Sequence, residues 1–129
     1  MRHPRVLIVD DDPGIRRVVR LSFPPGEFEV LSAGDGIEAL EVVDREPVDA
    51  VVLDLEMPQM DGRTFYNELR RRGSTVPVLI LSAYGAVKAR REIGADSAMP
   101  KPFDPDTLVA EVQRLIDERP PEPSLAGSA

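Results

Sequence analysis

Asp10, Asp11, Asp54, Ser82 and Lys101 each end or closely follow a short run of the chain that reads as a strand, and together they offer three carboxylates, a hydroxyl and an ammonium. The run Ala50-Val51-Val52-Leu53 is β-branched, apolar and without polar alternation, which reads as a strand buried on both faces. Asp54 then stands at the carboxyl end of a buried strand, the edge of an open α/β sheet where ligands bind. If the other runs are parallel strands of the same sheet, all five groups fall on one rim. Three carboxylates gathered there would repel by about 4 kcal/mol per pair at 4 Å and an effective dielectric near 20. A bound cation relieves that repulsion. Only oxygen ligands are on offer, so the metal should be hard, and a few carboxylates completed by water suit Mg²⁺ better than an all-protein calcium cage. Magnesium beside a carboxylate, a hydroxyl and a lysine suits phosphoryl transfer. Asp54 would attack phosphorus in line, the metal and Lys101 would neutralise the equatorial oxygens, and Ser82 would hydrogen-bond one of them. The product would be an aspartyl phosphate. Taken singly, each residue has a plainer reading: Asp12 as a helix cap, Ser82 as a cap or a ligand, Lys101 as a solvated surface lysine. Joint placement is what points to chemistry.

Strand and helix must alternate to deliver these groups, and the chain reads that way. Arg5 to Asp10 is a strand, after which Asp12 can cap a helix that has Pro13 at its first position and Ile15, Val18 and Val19 at helical spacing. Phe23-Pro24-Pro25-Gly26 stops that helix and leads to a strand around Phe28 to Ser32. A second helix starts near Asp35, with Glu38 three residues on as in a capping box, and is expected to bury Ile37, Leu40 and Val43. After the Asp54 strand and a loop from Met57 to Gly62, Arg63 to Arg72 reads as a helix carrying Phe65 and Leu69 on one face, ended by Gly73. Val76 to Ser82 is the next buried strand, with Pro77 tolerable only near its start. A short helix from Ala86 to Ile93 and a weak strand from Asp96 to Met99 follow. The loop at Lys101 to Pro105 then supplies both a cap and an N1 proline for a last helix burying Leu108, Val112, Leu115 and Ile116. Five such alternations predict a parallel α/β sheet with right-handed crossovers and helices on both faces.

Size and charge narrow the function. At 129 residues the chain is expected to be one domain over 1–118, followed by a flexible tail or linker stub over 119–129 that is rich in proline and small residues. There are no cysteines, so disulfides and thiolate metal sites are excluded. A net charge of -7 disfavours binding of nucleic acid or an anionic membrane by this chain. No apolar run approaches a membrane span, and the first strand begins too early to leave room for a signal peptide, so a cytoplasmic location is expected.

Four motifs in order, Val-Leu-Ile-Val-Asp-Asp-Asp at 6–12, Leu-Asp-Leu-Glu-Met-Pro-Gln-Met-Asp-Gly at 53–62, Leu-Ser-Ala at 81–83 and Lys-Pro-Phe-Asp at 101–104, resemble the receiver domain of two-component response regulators. The resemblance spans nearly everything before the tail. It implies a flavodoxin-like (βα)5 fold with strand order 2-1-3-4-5. It also implies Asp54 as phosphoacceptor, Asp10 and Asp11 as the acidic pair around Mg²⁺, and Glu56 as the residue lending the metal its backbone carbonyl. Ser82 matches the switch hydroxyl and Lys101 the phosphate-binding lysine, with a cis bond between Lys101 and Pro102. Glu56 and Tyr84, two residues beyond Asp54 and Ser82, match positions that tune the lifetime of the phosphate, and Tyr84 is bulky enough to obstruct a hydrolytic water. The implied partners are a sensor histidine kinase or phosphotransfer protein upstream and a downstream protein or output domain, the chain itself being no turnover enzyme and a monomer or weak homodimer.

The sequence departs from the family at two places. The aromatic usual three residues before the lysine is Ala98 here, and the stretch from Ser82 to Lys101 is shorter than usual by roughly one helical turn, so the fourth helix should be short or displaced. Two other readings use the same residues. A haloacid-dehalogenase-like phosphatase also employs a strand-end aspartate, magnesium, a serine and a lysine, but it leaves Asp10 and Asp11 unexplained and would want a cap insertion. A degenerate receiver that binds a partner without phosphorylation accounts for Ala98 but not for an intact acid cluster. His3, in the N-terminal stub, is a poor candidate for a phosphodonor.

Overall fold

The computed structural model describes residues 3–55, 57, 60–83 and 85–119. Five strands alternate with five helices: β1 (Arg5–Val9), α1 (Pro13–Ser22), β2 (Glu29–Ala33), α2 (Gly36–Arg45), β3 (Ala50–Leu53), α3 (Gly62–Arg71), β4 (Val78–Ser82), α4 (Ala86–Ile93), β5 (Ser97–Pro100) and α5 (Pro105–Glu118). The strands form one sheet in the order β2-β1-β3-β4-β5, every neighbouring pair parallel. After β1 the chain moves outward to β2, then returns across β1 to lay down β3. That reversal opens a crevice between the carboxyl ends of β1 and β3.

Strand side chains alternate between the two faces, and each face has its own core. Leu7, Val9, Val51, Leu53, Val78 and Ile80 pack with Leu40 and Val42 of α2, Phe65, Tyr66 and Leu69 of α3, and Ala86 and Ala89 of α4. Val6, Ile8, Val52, Leu79 and Leu81 face the other way, against Val19 of α1 and Leu108, Val112 and Leu115 of α5. Such two-sided burial explains why β3 and β4 carry apolar residues at successive positions, where a one-sided sheet would alternate.

The carboxyl rim is crowded with aspartates because four helices start there on an aspartate cap. Asp12 accepts from the amides of Gly14 and Ile15, Asp35 from Glu38, Asp61 from Thr64 and Asp104 from Thr107. Each such cap is worth about 1 kcal/mol. α4 is the exception: Gly85 precedes it in the left-handed region at φ 63°, with no side-chain cap among the described residues.

Several boundaries and faces differ from the sequence expectation. Ile37, expected inside, is 47% exposed, and Val18 of α1 is 50% exposed. The inward face of α2 runs instead through Gly36, Ala39, Leu40 and Val42, a stripe made partly of small residues. Glu38 does not close a capping box on Asp35, since its Oε2 accepts from the Gly34 amide at 3.1 Å. β4 begins at Val78 because Pro77 has no N–H for the ladder, though its carbonyl still accepts from Val51. β5 keeps four residues in register with β4, its proline standing last, opposite Ser82. Among the described residues no helix is long and apolar enough to cross a membrane. Residues 120–129, most of the expected tail, lie outside the described residues.

Candidate functional site

β1 and β3 lie side by side in register, so the residues that follow them emerge together at the crevice. The Asp54 amide donates to Val9 O at 2.8 Å and the Asp10 amide to Ala33 O at 3.1 Å, which extends the ladder pattern by one residue beyond each strand. Asp10 is 3% exposed and Asp54 8%, while Asp11 faces solvent. One carboxylate oxygen from each of the three lies within 4.8 Å of the others.

Lys101 reaches this cluster from the far side of the sheet. Its Nζ donates to Asp10 Oδ2 at 2.8 Å and lies 3.8 Å from Asp54 Oδ1, with the lysine side chain only 18% exposed. The backbone fixes its approach: the Lys101 amide donates to Ser82 O at 3.0 Å, and the Lys101–Pro102 peptide bond is cis. Ser82, 3% exposed at the end of β4, lines a cleft of about 670 Å³ together with Asp11, Leu55, Met57, Lys88 and Ala89. All five residues singled out in the sequence therefore gather at one end of the sheet. Glu56 and Tyr84 lie outside the described residues.

The charge count shows what this arrangement can hold. Three carboxylates and one ammonium leave a formal charge of two negatives within a few ångströms. The donors are oxygens with no imidazole or thiolate among them, a set suited to a hard divalent cation that keeps part of its water. The Lys101 ammonium is the only cation within 4 Å of these carboxylates among the described residues, and it is placed where charge would develop on a group transferred to Asp54.

Two contributors escape a reading of the sequence. Arg16, one turn into α1, donates from Nη1 to the carbonyl oxygen of Asp10 at 2.6 Å and so pins the end of β1. Gly62 opens α3 with its amide on Leu55 O at 2.9 Å, and a Cβ there would lie 2.5 Å from Asp54 O and 2.6 Å from Leu55 Cα. Only glycine lets the helix start that close to the Asp54 main chain. A surface arginine in a helix gives no signal in sequence, whereas the Asp-Gly pair at 61–62 marks a turn without saying what it touches.

A doubly wound parallel sheet with acids and a lysine meeting at its switch point is the flavodoxin-like fold of CheY. The model of the response regulator receiver domain matches residues 6–113, and the chain belongs to that family. Among curated proteins, it is similar to the response regulator MprA of Mycobacterium leprae (strain TN), 40% identical over 121 residues, which covers 92% of this chain and 53% of that protein. The chain thus spans about half the length of the curated relatives it matches. Among solved structures, the receiver domain of the Francisella response regulator 1452 superposes with a TM-score of 0.82 at 33% identity, covering 89% of this chain and 98% of that one. TrrA from Thermotoga maritima, solved in complex with Mg²⁺-BeF, gives a TM-score of 0.78 at 31% identity, covering 87% and 98%.

Proposed function

We propose that the chain is the phosphoacceptor of a two-component phosphorelay, taking a phosphoryl group from a phosphohistidine onto Asp54. The observation that carries this reading is the single ammonium of Lys101 held against both Asp10 and Asp54, beside Asp11, at the sheet's switch point. An Asp54 carboxylate oxygen forms the new P–O bond in line as the P–N bond to the donor imidazole breaks, and the imidazole leaves with a proton from solvent. Lys101 balances charge on the phosphoryl oxygens and the Ser82 hydroxyl hydrogen-bonds one of them. Asp10, Asp11 and Asp54 would hold Mg²⁺, with the Glu56 carbonyl as the further ligand the family resemblance implies, and the metal would supply additional neutralisation of those oxygens. Support comes from the donor chemistry of the cluster and from the Mg²⁺-BeF complex of TrrA.

The donor is a sensor histidine kinase or a phosphotransfer protein, and the output passes to a partner protein or a linked domain. Phosphorylation shifts that output only as far as Ser82 and Lys101 bind the phosphoryl oxygens better in one conformation than in the other. Incubating the protein with acetyl phosphate and Mg²⁺ should add one phosphoryl mass, lost in Asp54→Asn. Labelling that survives Asp54→Asn unchanged would place the phosphate elsewhere, and continuous turnover of a phosphate ester would mark the chain as a phosphatase.

A further inference from the structure

Leu55 and Met60, which lie between Asp54 and α3, are each met by a glycine, and one of the two glycines comes from a different part of the chain. Gly36, the buried first residue of α2, donates its amide to Met60 O at 3.3 Å. A Cβ at position 36 would lie 2.7 Å from Met60 Cβ, 2.8 Å from Met60 Cγ and 2.8 Å from Met60 O. Two of these atoms belong to or adjoin the main chain, which cannot swing aside as the tip of a side chain can. Any other residue at 36 therefore displaces residue 60 itself. Beyond Met60 the chain enters the Asp61 cap and then Gly62, whose amide bonds Leu55 O and whose missing Cβ admits Asp54 O. A path of main-chain contacts thus runs from Gly36 through Met60 and Gly62 to Leu55 and Asp54.

We propose that Gly36 is a positioning residue for Asp54. The first residue of α2 sets how close Met60 can come, and through Asp61 and Gly62 it sets where the Asp54 carboxylate stands relative to Lys101 and Asp10. Gly36 touches no reacting atom. This inference rests on the phosphoacceptor reading and adds to it a contact from α2, a helix that contributes none of the cluster's charged groups.

The test compares the wild type with Gly36→Ala and with Gly36→Ala combined with Met60→Gly, which removes the Cβ and Cγ in the way and frees the backbone at 60. For each, the initial rate of labelling by acetyl phosphate, the Mg²⁺ dissociation constant by calorimetry and the thermal unfolding curve are measured. Gly36→Ala is expected to label on the order of tenfold more slowly and to bind Mg²⁺ more weakly while still unfolding in one transition, because a sub-ångström misplacement of a reacting group is felt steeply. The double variant should recover most of both losses. A purely structural role would shift the unfolding midpoint and leave the rate and the Mg²⁺ constant unchanged, and that result overturns the proposal. Should Gly36→Ala fail to fold, the wild type decides: in a Mg²⁺ titration the Gly36 amide resonance should move in step with those of Asp54 and Leu55, and a stationary Gly36 overturns the proposal. A wild type that binds Mg²⁺ but never labels at Asp54 defeats the phosphoacceptor reading instead, and leaves the Mg²⁺ measurements to decide the role of Gly36.

Discussion

Replacing Asp54 by asparagine should make the metal-free protein more stable. The charge on Asp54 has two like neighbours, Asp10 and Asp11, with oxygens within 4.8 Å, so each repels it by about 3.5 kcal/mol at an effective dielectric near 20. Against this stands the attraction to Lys101 Nζ at 3.8 Å, worth about 4.4 kcal/mol on the same scale. Among these four charges the balance favours losing that of Asp54 by about 2.5 kcal/mol, which the solvent around exposed Asp11 reduces to about 1 kcal/mol. For a chain of this size that is a rise of roughly 4 °C in the unfolding midpoint. Magnesium should reverse the ranking. A ligand at a hundred times its dissociation constant stabilises the native state by about 2.7 kcal/mol, and the wild type should gain that while Asp54→Asn, short of one carboxylate, gains much less. Differential scanning calorimetry with chelator and then with excess Mg²⁺ gives both curves. A lower midpoint for Asp54→Asn in chelator, or a wild-type midpoint indifferent to Mg²⁺, would refute the electrostatic account of the cluster.

Two further predictions concern the scaffold. Glu111 of α5 is held down to about 2 from its ordinary 4.5, first by the Arg114 guanidinium and also by the hydroxyl of buried Ser97 in β5. A carboxylate held low stabilises the fold fully above pH 4.5 and loses that contribution as pH falls toward 2. Chemical denaturation from pH 5 to pH 2 should show the wild type losing about 1 kcal/mol more than Glu111→Gln, once solvent screening at Arg114 is allowed for. Parallel pH profiles would contradict it. Tyr66→Phe removes a hydroxyl that donates to Gly94 O at 3.1 Å and accepts from Arg70 Nε at 3.2 Å, and should cost about 1 kcal/mol in urea denaturation. An unchanged urea midpoint would mean that this tie between α3 and the end of α4 contributes nothing net.

The parts of the site legible in sequence were those signalled by local pattern. β3 announces itself by consecutive apolar residues, and Asp12-Pro13 and Asp104-Pro105 announce helix starts whose caps are formed as expected. The acid cluster was legible because each member sits within two residues of a strand's end, and a parallel sheet brings strand ends to one edge. Face assignments were weaker wherever small residues make the contact. A search for bulky apolar side chains at helical spacing selects Ile37 along with Leu40, yet α2 turns Ala39, Leu40 and Val42 to the core and Gly36 to Met60, and Ile37 is left outside. Arg16 on Asp10 O and Gly36 on Met60 O were not legible at all. Both act on main-chain atoms of other elements, and no local composition encodes such a meeting.

The start of α4, which has no side-chain cap among the described residues, has a consequence for how the molecule yields. A helix begins with four amides that lack partners within it, and elsewhere on this rim an aspartate satisfies at least one of them. α4 follows Gly85 without that help, and Gly85, Lys88 and Ala89 line the cleft beside Ser82. With glycine in place of aspartate at the cap, unwinding its first turn forfeits roughly 0.3 kcal/mol less than unwinding the corresponding turn of its neighbours. As far as caps decide, the first turn on this rim that costs least to unwind is therefore the one next to the Ser82 hydroxyl, where Ala86 and Ala89 rather than a cap hold the helix down.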